Sequence, residues 1–187
     1  MTAIDVVAVS KSPFTSAMSV FAHPGEYWQA SVKTPPMRPD NAEPWISTFM
    51  SLRGQYGTIL LGDSARKTPR GAVSGSPVVN GGSQTGFELS VRSLPLSTAG
   101  VLLAGDYIQI GTGADSRLHK VMKDATSNGS GIATLDIWPR IRTSPADGAA
   151  IIYSNPVGVF RRDSNEMPWT WDIPVVTSIT MGFVEAL

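Results

Sequence analysis

Hydrophobic and polar residues alternate most regularly at residues 27–33. The apolar members of this run are Trp28, Ala30 and Val32. A period of two is typical of a strand with one buried face. The same alternation returns at 175–185, so we expect a long last strand there. The Pro-Gly pair at 24–25, just before the first run, predicts a turn.

One segment has a helical period instead. Residues 41–53 carry an apolar stripe of Trp45, Ile46, Phe49, Met50 and Leu52. Asp40 and Glu43 are spaced as a capping box, and Gly54 is expected to end the helix. Short strands are predicted on both sides of it, at 4–9, 17–22 and 58–61. The first sixty residues therefore predict strands with one helix packed across them.

Residues 84–155 predict a second unit. Short strands are expected near 87–92, 106–110, 117–122, 132–137 and 149–153. Asn128-Gly129 lies between two of them and is typical of a hairpin, because both residues tolerate positive φ. Many short strands in so little chain favour a small β-barrel.

The two ends of the chain each have too few strands to complete a sheet. We therefore expect a mainly β protein in which 1–63 and 156–187 together form a β-sandwich-like domain with one helix. The barrel at 84–155 is then an insertion carried by that domain. Residues 64–83 are rich in Gly, Ser and Pro and have no periodicity, so they predict an extended loop or arm. Such an arm is expected to become ordered against a neighbouring subunit.

Composition narrows the function classes. Charged residues make up only 16% of the chain, and 15 basic residues balance 15 acidic ones. This balance argues against a nucleic-acid binder, and the low charge suits a surface that partners cover. There is no cysteine, which excludes thiolate chemistry. The sequence shows neither a secretory signal nor an apolar run that could span a membrane.

Motifs for catalysis or cofactors are incomplete. A calcium loop starting at Asp124 would need an oxygen ligand at its third position and a Glu at its twelfth, where Thr126 and Leu135 stand. The Gly-Thr-Gly run at 111–113 lacks the third glycine and the helix of a dinucleotide site. His119 has no recognisable nucleophile motif to serve. We therefore expect no enzyme, no cofactor, no metal and no catalytic residues.

Several stretches resemble tail proteins of long-tailed, non-contractile bacteriophages. In the first unit these stretches are 24–28, 52–54 and 57–63, together with the end of the chain, 183–187. In the second unit they are 104–111, 133–139 and 144–148. The nearest role that the resemblance implies is a distal tail protein, a ring that joins the tail tube to the tip. It also implies a homo-oligomer with six-fold symmetry, tube and tip proteins as partners, and a place in the virion after assembly in the bacterial cytoplasm.

Candidate contact residues follow from charge and aromatic content. Subunit contacts are predicted for the loops at 64–83 and 163–174, with the candidates Arg66, Lys67, Arg70, Arg161, Arg162, Trp169 and Trp171. Aromatic rings also stack on sugars, so an alternative function is a carbohydrate- or receptor-binding module at the tail tip. Its candidate residues are Tyr153, Trp169 and Trp171. Both alternatives stay open from sequence alone.

Overall fold

The computed structural model describes residues 1–171 and 177–186, and this part of the chain is mainly β with one α-helix. In chain order the elements are β1 (Thr2–Lys11), β2 (Met18–Lys33), α1 (Pro39–Ser51), β3 (Thr58–Leu61), β4 (Val78–Val79), β5 (Gly86–Arg92), β6 (Tyr107–Ile110), β7 (Arg117–Val121), β8 (Ala133–Ile141), β9 (Ile151–Ile152), β10 (Gly158–Arg162) and β11 (Thr180–Glu185). One sheet has the order β1-β2-β11-β10-β3 and the other has the order β4-β5-β8-β7-β6-β9.

The first sheet is built from both ends of the chain. The last strand, β11, pairs antiparallel with β2, with Phe183 opposite Ala30 and Met181 opposite Val32. Its other neighbour, β10, continues the sheet to β3. All strands of the second sheet come from the residues between β3 and β10. The predicted fold class is therefore confirmed: one domain with a helix carries a small barrel as an insertion.

The second sheet nearly closes on itself. Val78 on β4 and Ala150, the residue before β9, form an antiparallel bridge, so the two outer strands of the sheet approach each other. The N–H of Val79 donates to the carbonyl of Ala149 at 2.9 Å. The prediction of a loop throughout 64–83 is therefore wrong at β4. The short Val78-Val79 pair completes the barrel wall, and Val79 is fully buried in its core.

The residues before β4 also lie against the barrel. The backbone N–H groups of Arg70 and Gly71 donate to the carboxylate of Asp106, at 2.9 and 3.1 Å. Val73 packs against the barrel core. Asp106 is almost completely buried, so these bonds satisfy a carboxylate that would otherwise be costly to enclose. Part of the predicted arm is thus fixed to its own chain.

The helix differs from its predicted cap and face. It starts at Pro39, and its N-cap, Arg38, makes no side-chain cap bond. Proline at the first helical position has the right φ already, so the helix begins before the expected capping box and Asp40 lies inside its first turn. The buried face consists of Ala42, Ile46 and Phe49. Trp45, expected in the core, is 46% exposed.

A shared core joins the barrel to the first sheet. The ring of Trp28 on β2 lies 5.8 Å from that of Tyr107 and 4.5 Å from that of Trp138, measured between centroids. Its Nε1–H donates to the carbonyl of Leu118 at 2.8 Å. Tyr107, Leu118 and Trp138 all belong to barrel strands, so one tryptophan anchors the two units to each other.

Candidate assembly interface

The far parts of β1 and β2 extend away from both cores as a two-stranded hairpin. Every residue from 5 to 24 except Ser12 is exposed, and we call this segment the exposed hairpin. The turn predicted at Pro24-Gly25 is wrong, because β2 runs through it without a break. The register shifts there, between the pairs Ile4–Tyr27 and Val6–His23. Such a bulge tolerates a proline, which has no N–H for the ladder.

The exposed hairpin is apolar on both faces. Residues directly opposite each other on paired strands project to the same face. Val9 lies opposite Val20 on one face, and Ala8 lies opposite Phe21 on the other. The large exposed hydrophobic side chains of this segment are Val6, Val7, Val9, Phe14, Met18, Val20 and Phe21. Exposed apolar surface of this kind makes the exposed hairpin a candidate contact site.

Charge is almost absent from the exposed hairpin. Asp5 and Lys11 are its only acidic or basic residues apart from His23. Natural proteins protect exposed strands from pairing with other chains by adding charges or by keeping the strands short. Here β1 is ten residues long and forms one edge of its sheet, while β3 forms the other edge. Among the described residues, no strand pairs with the outer side of β1 or of β3, so both edges have backbone groups available for another strand.

The predicted basic contact residues are scattered. Arg66 and Lys67 are exposed, as a subunit contact requires. The side chain of Arg70 is committed to its own chain, with Nε 3.5 Å from the Asp106 carboxylate. Arg161 is half-buried.

Arg162 was also predicted as a subunit contact, but in this chain its side chain is buried and only 2% exposed. Its Nη2 donates to the carbonyl of Glu166 in the same chain. The guanidinium is thus enclosed within the fold of its own chain.

The predicted aromatic candidates do not form one cluster. Trp169 and Trp171 lie between β10 and β11 and are 41% and 37% exposed, so both have free ring surface. Tyr153 lies at the end of β9, and its hydroxyl donates to the carbonyl of Gly75 at 3.0 Å. None of the aromatic contacts in the described part of the chain joins Tyr153 to either tryptophan. Residues 172–174 of the predicted contact loop lie outside the described residues.

The titratable side chains decide whether the part of the chain that the structure describes could hold a metal ion. Within residues 1–171 and 177–186 there is no group of three or more His, Asp or Glu side chains placed to hold a metal ion. Burial lowers the pKa of His119 to about 4, although its Nδ1 bond to the Pro139 carbonyl opposes this shift. The imidazole is therefore neutral at pH 7. No helix in the same part of the chain is long and apolar enough to cross a membrane.

Sequence patterns missed the exposed hairpin as a contact surface. The strands at 4–9 and 17–22 were predicted, and apolar residues inside a strand normally indicate a core. The available signal was the combination of apolar residues at both alternating positions with almost no charge over twenty residues. Neither the comparison with protein-family models nor the search of curated proteins gives a match for this sequence.

Proposed function

We propose that the protein is a structural subunit of a bacteriophage tail, a ring-forming distal tail or tail-tip component that joins the tube to the tip. The observation that carries this proposal is the exposed hairpin, which has two apolar faces and no core of its own. An isolated two-stranded hairpin is marginally stable in water. A neighbouring subunit that covers residues 5–24 would supply the missing contacts.

The two open edges of the first sheet support a contact between like subunits. The edge formed by β1 and the edge formed by β3 are different surfaces, so pairing one with the other is a head-to-tail contact. Repeated head-to-tail contacts generate a ring when the rotation closes. Leu60 on β3 is 46% exposed and lies at the edge that would receive the hairpin of the next copy.

Mass measurement of the purified protein tests this proposal. Native mass spectrometry is expected to show a closed oligomer of the wild type, with six copies as the expected number. The Val20→Lys variant places a charge in the apolar face of the hairpin, where Val20 is 62% exposed, so it should remain a folded monomer. The matched control is Leu96→Lys on the barrel, where Leu96 is 66% exposed, and it should assemble normally. Equal assembly of both variants, or a monomeric wild type, contradicts the proposal.

A receptor-binding role at the tail tip is the second candidate function. The exposed rings of Trp169 and Trp171 favour it, because aromatic faces stack on sugars. Tyr153 supports it less, since its hydroxyl already has a partner. Binding of the wild type and of the Trp169→Ala/Trp171→Ala double variant to a glycan array separates the two candidates. Glycan binding that the double variant loses, with assembly unchanged, would favour the receptor-binding role.

A further inference from the structure

A small cavity lies between the barrel and the end of β11. Its volume is about 120 Å³, and it is lined by charged residues and by apolar side chains of β6 and β8. The residues that matter here are Arg117, Arg142, His119, Glu185, Ile110 and Ile141. Drug-sized ligands occupy about 300–1,000 Å³, so this cavity has room for only one small chemical group.

Within the described residues, two guanidinium groups at the cavity donate no hydrogen bond to a carboxylate. Arg140, a third arginine of the lining, is fully engaged with Glu26. Arg142 Nη1 is 3.9 Å from Glu185 Oε2, which is too long for a hydrogen bond. Arg117 Nη1 donates only to the backbone carbonyls of Ala114 and Ser116, at 3.3 and 3.2 Å. Within the described residues, Arg142 and Arg117 thus keep donors for another acceptor.

One acidic residue, Glu185, faces these two cations at the cavity. Burial raises the pKa of Glu185 above its ordinary value, against the Trp28 N–H and the nearby arginines, which lower it. Its Oε2 already accepts the N–H of Trp28 at 3.0 Å. His119 is neutral and adds no charge. Two arginines against one acid leave a net positive charge at a partly open cavity. A charge-assisted hydrogen bond is stronger than one between neutral groups.

We propose that this cavity binds a single carboxylate group, held by the guanidinium groups of Arg142 and Arg117. The guanidinium fork matches the two oxygens of a carboxylate. The apolar wall formed by Ile110 and Ile141 suits the short carbon stem that carries the group. The carboxylate comes either from a small free acid or from an acidic side chain of a neighbouring protein. This proposal does not depend on the proposed function in a phage tail.

Nuclear magnetic resonance of the arginine Nε–H groups tests the site. The full-length protein is titrated with sodium acetate while sodium chloride keeps the ionic strength constant. Saturable shifts are expected for Arg142 and Arg117. The Arg142→Gln variant should bind acetate about tenfold more weakly, because it loses a charge-assisted hydrogen bond. Arg66→Gln, at an exposed arginine outside the cavity, should bind like the wild type.

A second arm distinguishes the two sources of the carboxylate. The probe is a capped Gly-Glu-Gly peptide, and the same peptide with Gln in place of Glu is its control. Tighter binding of the Glu peptide than of acetate indicates a neighbouring protein, and the reverse order indicates a small free acid. Arg117→Gln gives an independent variant should Arg142→Gln lose its folded spectrum. The proposal is overturned if neither probe saturates, or if neither cavity variant weakens binding.

Discussion

Arg140 on β8 and Glu26 on β2 form a two-pronged ion pair between the barrel and the first sheet. Arg140 Nε lies 3.0 and 2.9 Å from the two carboxylate oxygens, and Nη2 lies 2.7 Å from Oε1. Burial alone would raise the pKa of Glu26, but the hydrogen bonds and the charge of Arg140 outweigh it, so the pKa lies below its ordinary value. The pair therefore links β8 of the barrel to β2 of the first sheet.

The first prediction is a pH dependence of stability that comes from this pair. A lowered pKa in the folded state means that the contribution is fully present above the ordinary pKa of 4.5 and is lost as the pH falls through the lowered value. Glu26→Gln should reduce the free energy of unfolding by about 1–3 kcal/mol at pH 7. Urea unfolding at pH 7 and at pH 3 measures this difference between the two proteins. It should shrink at pH 3, and a constant difference would contradict the assignment.

The second prediction concerns Trp28. Replacing it with Phe removes the donor to the Leu118 carbonyl, leaves that buried carbonyl unsatisfied and weakens the contact with Trp138. We expect a loss of about 1–3 kcal/mol in the free energy of unfolding. The control is Trp45→Phe, at a tryptophan that is 46% exposed, where the loss should stay below about 0.5 kcal/mol. Equal losses in the two variants would show that Trp28 does not anchor the units.

The third prediction tests the barrel as an independent unit. A fragment of residues 69–155 contains β4 and the backbone donors to Asp106, so it should unfold cooperatively. A fragment of 84–155, which has the boundaries predicted from sequence, lacks both and should be less stable. Thermal unfolding followed by circular dichroism compares the two. A cooperative transition at the same temperature for both fragments would mean that β4 does not contribute.

The fourth prediction concerns the segment first interpreted as an arm. Deleting residues 70–83 removes β4 and the fully buried Val79, so we expect the barrel to lose its cooperative transition. Deleting only 64–66, all of which are exposed, should leave that transition unchanged. Calorimetry of the two deletion variants measures the outcome. A folded barrel without 70–83 would restore the interpretation of this segment as an arm for another subunit.

Local periodicity was sufficient to predict a strand and its buried face where the strand packs on the core of its own chain. Residues 27–33 alternate because one face of β2, which carries Trp28 and Ala30, packs on the core. The residues around Phe183 on β11 alternate for the same reason. The helix stripe was predicted, yet the side of it that faces the sheet was not, since Trp45 and Ile46 are neighbours and either satisfies a helical period. Leu60 lies in the strand predicted at 58–61, yet it is 46% exposed at the sheet edge, which the strand prediction did not show.

Contacts between distant segments could not be predicted from sequence windows. The two-residue strand β4 is too short to produce a periodic pattern, and its position depends on Ala149 and Ala150 far along the chain. Arg162 carries a charge that normally indicates the surface, but the fold encloses it beside Glu166. The exposed hairpin has the apolar pattern of a buried one, and that pattern alone does not show that the segment lies outside both cores.

A cryo-electron microscopy map of the assembled protein tests most directly whether the exposed hairpin forms the contact between subunits of a ring. We expect a closed ring of identical copies in which the exposed hairpin, residues 5–24, of each copy is covered by the next copy. We also expect the surfaces of Val20 and Phe21 to be buried at that contact. A map in which the hairpins remain in solvent, or a protein that forms no ring under any assembly condition, would contradict this expectation.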